Sequence, residues 1–182
     1  MFRMLAFACA FAGLAAVAAG SAMTQALAQQ PPAAPAPAPA PAAAPMPPYG
    51  PPIGLDQAKR VMAAAELEAA KNSWQVAIAI LDSGGNLVMF HKIDNTQLSA
   101  ETTSEGKART ALQFKRPSKA LDDAIAAGGA GMRLLALKDI TPLEGGILIL
   151  VDGKIIGAIG VSGALSSQDA QIATAGAAAL SR

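Results

Sequence analysis

Apolar residues recur at helical spacing between residues 55 and 72, at Leu55, Ala58, Met62, Ala65 and Ala69, while Lys59, Arg60, Glu66 and Glu68 fall off that stripe. The periodicity predicts an amphipathic helix that Asn72 can close. The following run, WQVAIAIL, is apolar on both faces, with Val76, Ile78 and Ile80 facing one way and Ala77, Ala79 and Leu81 the other. Such a run predicts a strand covered on both sides. Asp82-Ser83-Gly84-Gly85-Asn86 carries turn chemistry, and Leu87 to Lys92 predicts the return strand of a hairpin. Strand alternation then puts Met89 and His91 on one face and Val88, Phe90 and Lys92 on the other.

Residues 98–114 predict a second helix, interrupted by Gly106, and Arg116-Pro117-Ser118 breaks it. Ser118 is placed to cap a shorter helix ending near Ala127, and Gly128, Gly129 and Gly131 predict a flexible joint. Leu134 to Leu137 fits either a strand or one helical turn. Gly145-Gly146 precedes the run ILILV, Asp152-Gly153 predicts a tight turn, and KIIGAIGV returns from it. Ser166, with Asp169 three residues on, marks the start of a last helix that reaches Leu180. Hairpins in place of crossover helices predict an α+β domain whose antiparallel sheet has about five strands and flanking helices.

This pattern occupies residues 53–182, and the rest of the 182-residue chain reads differently. Arg3 precedes an apolar stretch from Leu5 to Gly20, and Ala26 and Ala28 around Leu27 form an A-x-A site. Residues 1–28 therefore predict a signal peptide cleaved before Gln29, and with it a periplasmic or secreted protein that has no membrane anchor after cleavage. Residues 29–52 predict a Pro/Ala-rich disordered linker, because 31–52 holds 11 of the chain's 13 prolines. Proline fixes φ and lacks an N–H, so the linker is expected to stay out of any sheet.

Composition narrows the chemistry. Basic and acidic residues number 14 and 13, which provides no electrostatic footprint for nucleic acid. One Cys allows no internal disulfide, and one His excludes any centre that needs two histidines from one chain. His91 is a candidate iron ligand or general base, with Met89 beside it on the same face. Lys107 and Thr110, three apart on one helix edge, are placed to meet a carboxylate. The glycine-rich run Gly157-Ala158-Ile159-Gly160-Val161-Ser162-Gly163 suits either close approach of a ligand or tight packing of a helix or a neighbouring subunit. Ser162 lacks a nucleophile-elbow pattern, which argues against a hydrolase triad. Asp122 and Asp123 read as a solvated helix face.

The segments VAIAILDSGGNLVMFHKID, GKARTALQFKRPS and ITPLEGGILILVDGKIIGAIGVSGALSSQDAQIATAGAAAL, with the opening helix, resemble the GlcG/HbpS family. That family is related in turn to the C-terminal domain of PduO-type proteins. One departure falls at Asp94-Asn95-Thr96, where the family usually carries Asp-Gly-Ala. The resemblance implies a roughly profilin-like antiparallel domain that forms homo-oligomers, often octamers. It also implies haem as cofactor, in sequestration, sensing or degradation. Matched to the family's motifs, the ligand-binding candidates are Lys107, Arg109, Thr110, Gly160, Ser162 and Gly163. His91 and Met89 join them from the strand pattern, with His91 as donor to haem iron. Two other readings stand beside this one: an enzyme or binder for a small carboxylic acid that uses the glycine strand as an anion cradle, and a non-catalytic assembly module.

Overall fold

The computed structural model describes residues 45–180, so the predicted signal peptide and most of the proline-rich stretch lie outside the described residues. The elements are α1 (Leu55–Lys71), β1 (Ala77–Asp82), β2 (Leu87–Lys92), α2 (Ser99–Phe114), α3 (Lys119–Ala126), a 3-10 helix (Gly129–Ala136), β3 (Gly146–Val151), β4 (Lys154–Ser162) and α4 (Ser166–Ala178). The strands form one antiparallel sheet in the order β2-β1-β4-β3. The α+β class and antiparallel sheet are as expected, but the sheet has four strands and not five. Leu134 to Ala136 belong to the 3-10 helix. Gly131 lets that segment close onto the carbonyl of Ala124 at the end of α3, so it folds back there and adds no strand.

Both faces of the central strands are covered. Val76, Ile78, Ile80, Ile159 and Val161 pack against α1 and α4 in the main core. Leu81, Ile155 and Ala158 pack on the other face against Ala108, Ala111 and Leu112 of α2. The buried stripe of α1 is Ala58, Val61, Met62, Ala65 and Ala69. Leu55 drops out of the expected stripe and is 52% exposed. Helical side chains lean toward the N-terminus, and in the first turn this carries Leu55 past the packed surface. Asn72 closes the helix by donating from Nδ2 to the Glu68 carbonyl at 2.8 Å.

Gly106 does not interrupt α2. A Cβ there would collide with Thr141, so glycine serves the approach of the loop before β3. Ser118 sits at the N-cap position of α3 but makes no capping bond. Its Oγ donates to the Leu143 carbonyl and accepts from Gly146 N–H at 2.9 Å, which ties α3 to the start of β3. Asp152 and Gly153, at φ 50° and 71°, form the two-residue turn between β3 and β4. Asn95 takes φ 62°, a left-handed conformation that glycine adopts freely and asparagine better than most other residues. Residues 94 and 95 form a turn on that conformation.

The β1–β2 turn is organised by Asp82, whose Oδ1 accepts from the N–H groups of Gly84 and Asn86, both at 2.9 Å. Partial burial pushes this carboxyl up, but the hydrogen bonds from Asn86, Gly84 and Gly85 outweigh it and hold the group below the ordinary aspartate value. Asp82→Ala is expected to cost about 1–2 kcal/mol. A depressed carboxyl stabilises the fold above its unfolded-state value and loses that contribution as pH falls through the folded one. The gap between Asp82→Ala and wild type in urea unfolding should therefore shrink from pH 7 to pH 3.

The last residues of the proline-rich stretch do join the sheet. Pro48 lacks an N–H but keeps its carbonyl, which accepts from Ile155 N–H at 2.9 Å, and Gly50 N–H donates to the Ile155 carbonyl at 2.8 Å. Tyr49 forms a parallel bridge there, beyond the end of β1. Its hydroxyl donates to the Leu112 carbonyl at 2.7 Å, and Lys115 Nζ lies 4.3 Å from its ring centre.

Candidate functional site

The candidates from the sequence separate into three places. Lys107 is in the interior: its Nζ donates to Asp169 Oδ2 at 2.8 Å and to the Val161 carbonyl at 2.9 Å, and both side chains of the ion pair are 2% exposed. Burial pushes the Asp169 carboxyl above the ordinary aspartate value, while Lys107 and the N–H groups of Ala164 and Gly163 pull against that rise. The carboxylate that Lys107 meets is thus one from α4 of its own chain, where the sequence pattern points to a ligand's. Asp169 was legible only as a marker of the helix start. That start is held by Gln168, whose Oε1 accepts from Leu165 N–H at 3.1 Å, as well as by Asp169, whose Oδ1 accepts from Ala164 N–H at 3.1 Å.

The neighbours of Lys107 on α2 also have internal partners. Thr110 Oγ1 donates to the Gly106 carbonyl at 2.8 Å and accepts from Thr141 N–H at 2.7 Å. Arg109 pairs with Glu105 at 2.6 Å and donates to the Gly85 carbonyl at 3.1 Å, bracing the β1–β2 turn. Gly160 lies beneath α2, where a Cβ would run into the carbonyl of Ser104 and the N–H of Ala108. Of the two uses suggested for the glycine strand, helix packing therefore accounts for Gly160. Ser162 is buried opposite Ala77. Gly163, at φ 138°, reaches the rim of an open groove of about 580 Å³ that Trp74, Asn95 and Gln168 also line.

The third place is the free edge of the sheet. Register sets His91 opposite Ile78 and Met89 opposite Ile80, so both face α1. Met89 packs half-buried against the main core. His91 stands further out, and its Nδ1 lies 2.6 Å from Glu66 Oε1, with the two side chains 45% and 40% exposed. With the Nδ1 proton assigned toward the carboxylate, Nε2 keeps its lone pair, and it has no partner among the described residues. These groups line an open groove of about 510 Å³ with Phe90, Lys92, Ile93 and Asp94. Lys92 pairs with Glu101 at 2.5 Å. An ammonium has three donors, so this bond leaves two for another anion.

Glu66 was not identified in the sequence as a partner of His91. Twenty-five positions separate them, and nothing local links the two. The usable signal was joint: His91 belongs to the apolar face of its strand, and Glu66 lies beside the apolar stripe of the covering helix. Among the described residues no cluster of three or more His, Cys, Asp or Glu is placed to hold a bare metal ion, and no helix is long and apolar enough to cross a membrane.

One antiparallel sheet held between two helices on one face and one on the other, with a histidine–carboxylate pair at its open edge, defines a small single-sheet α+β domain with an edge groove. The chain belongs to the family described as haem degrading protein HbpS-like, whose profile matches residues 53–178. It is 42% identical over 105 residues to Protein GlcG of Escherichia coli K12, covering 58% of this chain and 77% of that protein. The crystal structure of HbpS aligns with a TM-score of 0.67 and 28% identity over 74% of this chain and 94% of that one. A PduOC:heme complex aligns with a TM-score of 0.66 and 25% identity over 71% of this chain and 96% of that one.

Proposed function

We propose that the protein is an exported, self-assembling haem- or tetrapyrrole-binding protein in which His91 supplies the donor to iron. The observation that carries this reading is the Glu66–His91 pair. A carboxylate on one ring nitrogen fixes the tautomer and the ring's orientation and leaves the other nitrogen as donor, the usual arrangement behind a metal-bound histidine. A haem site needs an axial donor, an apolar wall and cations for its carboxylates. His91 would provide the first and Ile93, packed on the same face, the second, while Lys92, which lies on the opposite face with Phe90, would have to reach round the strand edge to provide the third. When bound, haem supplies redox-active iron, and the chain's residues orient the group and balance its charge. This is the chemistry of holding a tetrapyrrole, so sequestration is the role proposed. The groove is open to solvent on the side away from α1 and β1.

The reading also draws on the relative solved with heme and on the HbpS-like family. The small-carboxylic-acid alternative is weaker, because the cation beside the glycine strand, Lys107, is already bonded to Asp169. Titrating the full chain with haemin should give a saturable Soret band near one equivalent. His91→Ala should weaken binding at least tenfold while leaving thermal stability almost unchanged, as expected for a half-exposed side chain. Non-saturating binding, or equal affinity in His91→Ala, would overturn the assignment.

A further inference from the structure

The groove of about 580 Å³ beside Gly163 shares no lining residue with the one at His91, and its chemistry is different. Glu66, Lys92 and Asp94 stand in the wall at His91, whereas no charged side chain among the described residues lines the groove at Gly163. Its polar side chains are the carboxamides of Gln75, Asn95, Gln97 and Gln168 and the hydroxyl of Ser73. The first three amides are exposed and make no side-chain hydrogen bond among the described residues, and Gln168 uses only its Oε1, on Leu165 N–H. Trp74, the chain's single tryptophan, supplies the ring in the wall and is half-buried against the main core. A buried indole N–H finds a partner as a rule. This one bonds to no described residue, and no buried side-chain nitrogen is left unpartnered, so the N–H reaches solvent.

We propose that this groove binds a neutral oligosaccharide, one ring of which lies against Trp74 while its hydroxyls bond to Gln75, Asn95 and Gln97. The lining selects this class by exclusion. A charged ligand would give up water here and meet no countercharge. The start of α4 does not supply one, because Ala164 N–H is already taken by Asp169 and Leu165 N–H by Gln168. An apolar ligand would strip water from the amides and return no hydrogen bonds. A carboxamide both donates and accepts, as a hydroxyl does, so the fitting ligand is uncharged and rich in hydroxyl or acetamido groups. The indole requires an apolar face in the same molecule. A sugar ring carries both, with hydroxyls around its rim and C–H groups on its face. The volume is that of a small-molecule site. The proposal stands apart from the haem reading, and either can fail without the other.

The test is an array of neutral, N-acetylated and anionic oligosaccharides probed with the full chain, followed by calorimetry with the strongest neutral binder. Saturable binding confined to uncharged glycans is expected, and titration should change the emission of the single tryptophan. Gln75→Ala/Gln97→Ala, at two exposed positions, should weaken binding at least tenfold without moving the thermal melt. Asn95→Gly keeps the left-handed backbone, deletes the amide and should weaken binding severalfold. Binding to no neutral glycan would overturn the proposal, and so would a preference for anionic ones. An affinity that both variants retain would place the sugar elsewhere and overturn it as well.

Discussion

Lys107→Met is expected to destabilise the domain by about 3–5 kcal/mol, because it leaves the Asp169 carboxylate buried without its cation. For a domain of this size that lowers the melting temperature by roughly 10–20 °C. The loss depends on pH in a defined direction. Burial already holds the Asp169 carboxyl above its ordinary value against the pull of Lys107, and removing the lysine sends it higher. A carboxyl raised in the folded state stabilises the fold below its unfolded-state value and loses that contribution as pH rises through the folded one. The variant should accordingly be most damaged at pH 8 and recover toward pH 4. Urea unfolding at both values checks this, and a deficit as large in acid as in base would contradict it. Lys107→Met/Asp169→Asn removes the charge but keeps an oxygen for Ala164 N–H, and should recover part of the loss at pH 8.

Gly160→Val is expected to cost at least about 3 kcal/mol and to abolish the folded state in a domain of marginal stability. The new side chain would occupy the space filled by the Ser104 carbonyl and the backbone of Ala108, and moving these means lifting α2 off the sheet. Gly160→Ala should already be severe. Gly54→Ala is the matched control: its Cβ would meet only Gln57 Oε1, at 4.0 Å, and no positive φ opposes it. Thermal melts of the three variants should rank Gly54→Ala near wild type and Gly160→Val last. A folded Gly160→Val with a near-native melting temperature would mean that the glycine serves something other than helix packing.

These two residues show what the amino-acid order made legible. The four helices and four of the five strands read from the pattern are present, since α1, β1 and the β3–β4 hairpin are set by alternation and turn chemistry over short spans, whereas the ambiguous run at Leu134–Leu137 is no strand. Glycines were harder to read. Gly106 and Gly160 look the same in sequence whether they admit a ligand, a loop or a helix, and only the tertiary neighbour distinguishes these uses. The polar pairs were harder still. Lys107 and Asp169 are 62 positions apart and His91 and Glu66 are 25, so one member of each pair stood out while its partner looked like an ordinary helix residue. Thr110 and Arg109 were visible as chemistry-bearing groups, but their partners lie on the loop before β3 and on the β1–β2 turn, which no spacing rule connects to α2.

The clasp at Tyr49 also has a mechanical consequence. Tension applied from the N-terminal side meets its first backbone hydrogen bonds to the sheet at Pro48 and Gly50, whose bonds to the two sides of Ile155 run beside a tyrosine anchored on the end of α2. A pull from that side is therefore shared between a central strand and a helix before it can unwind α1.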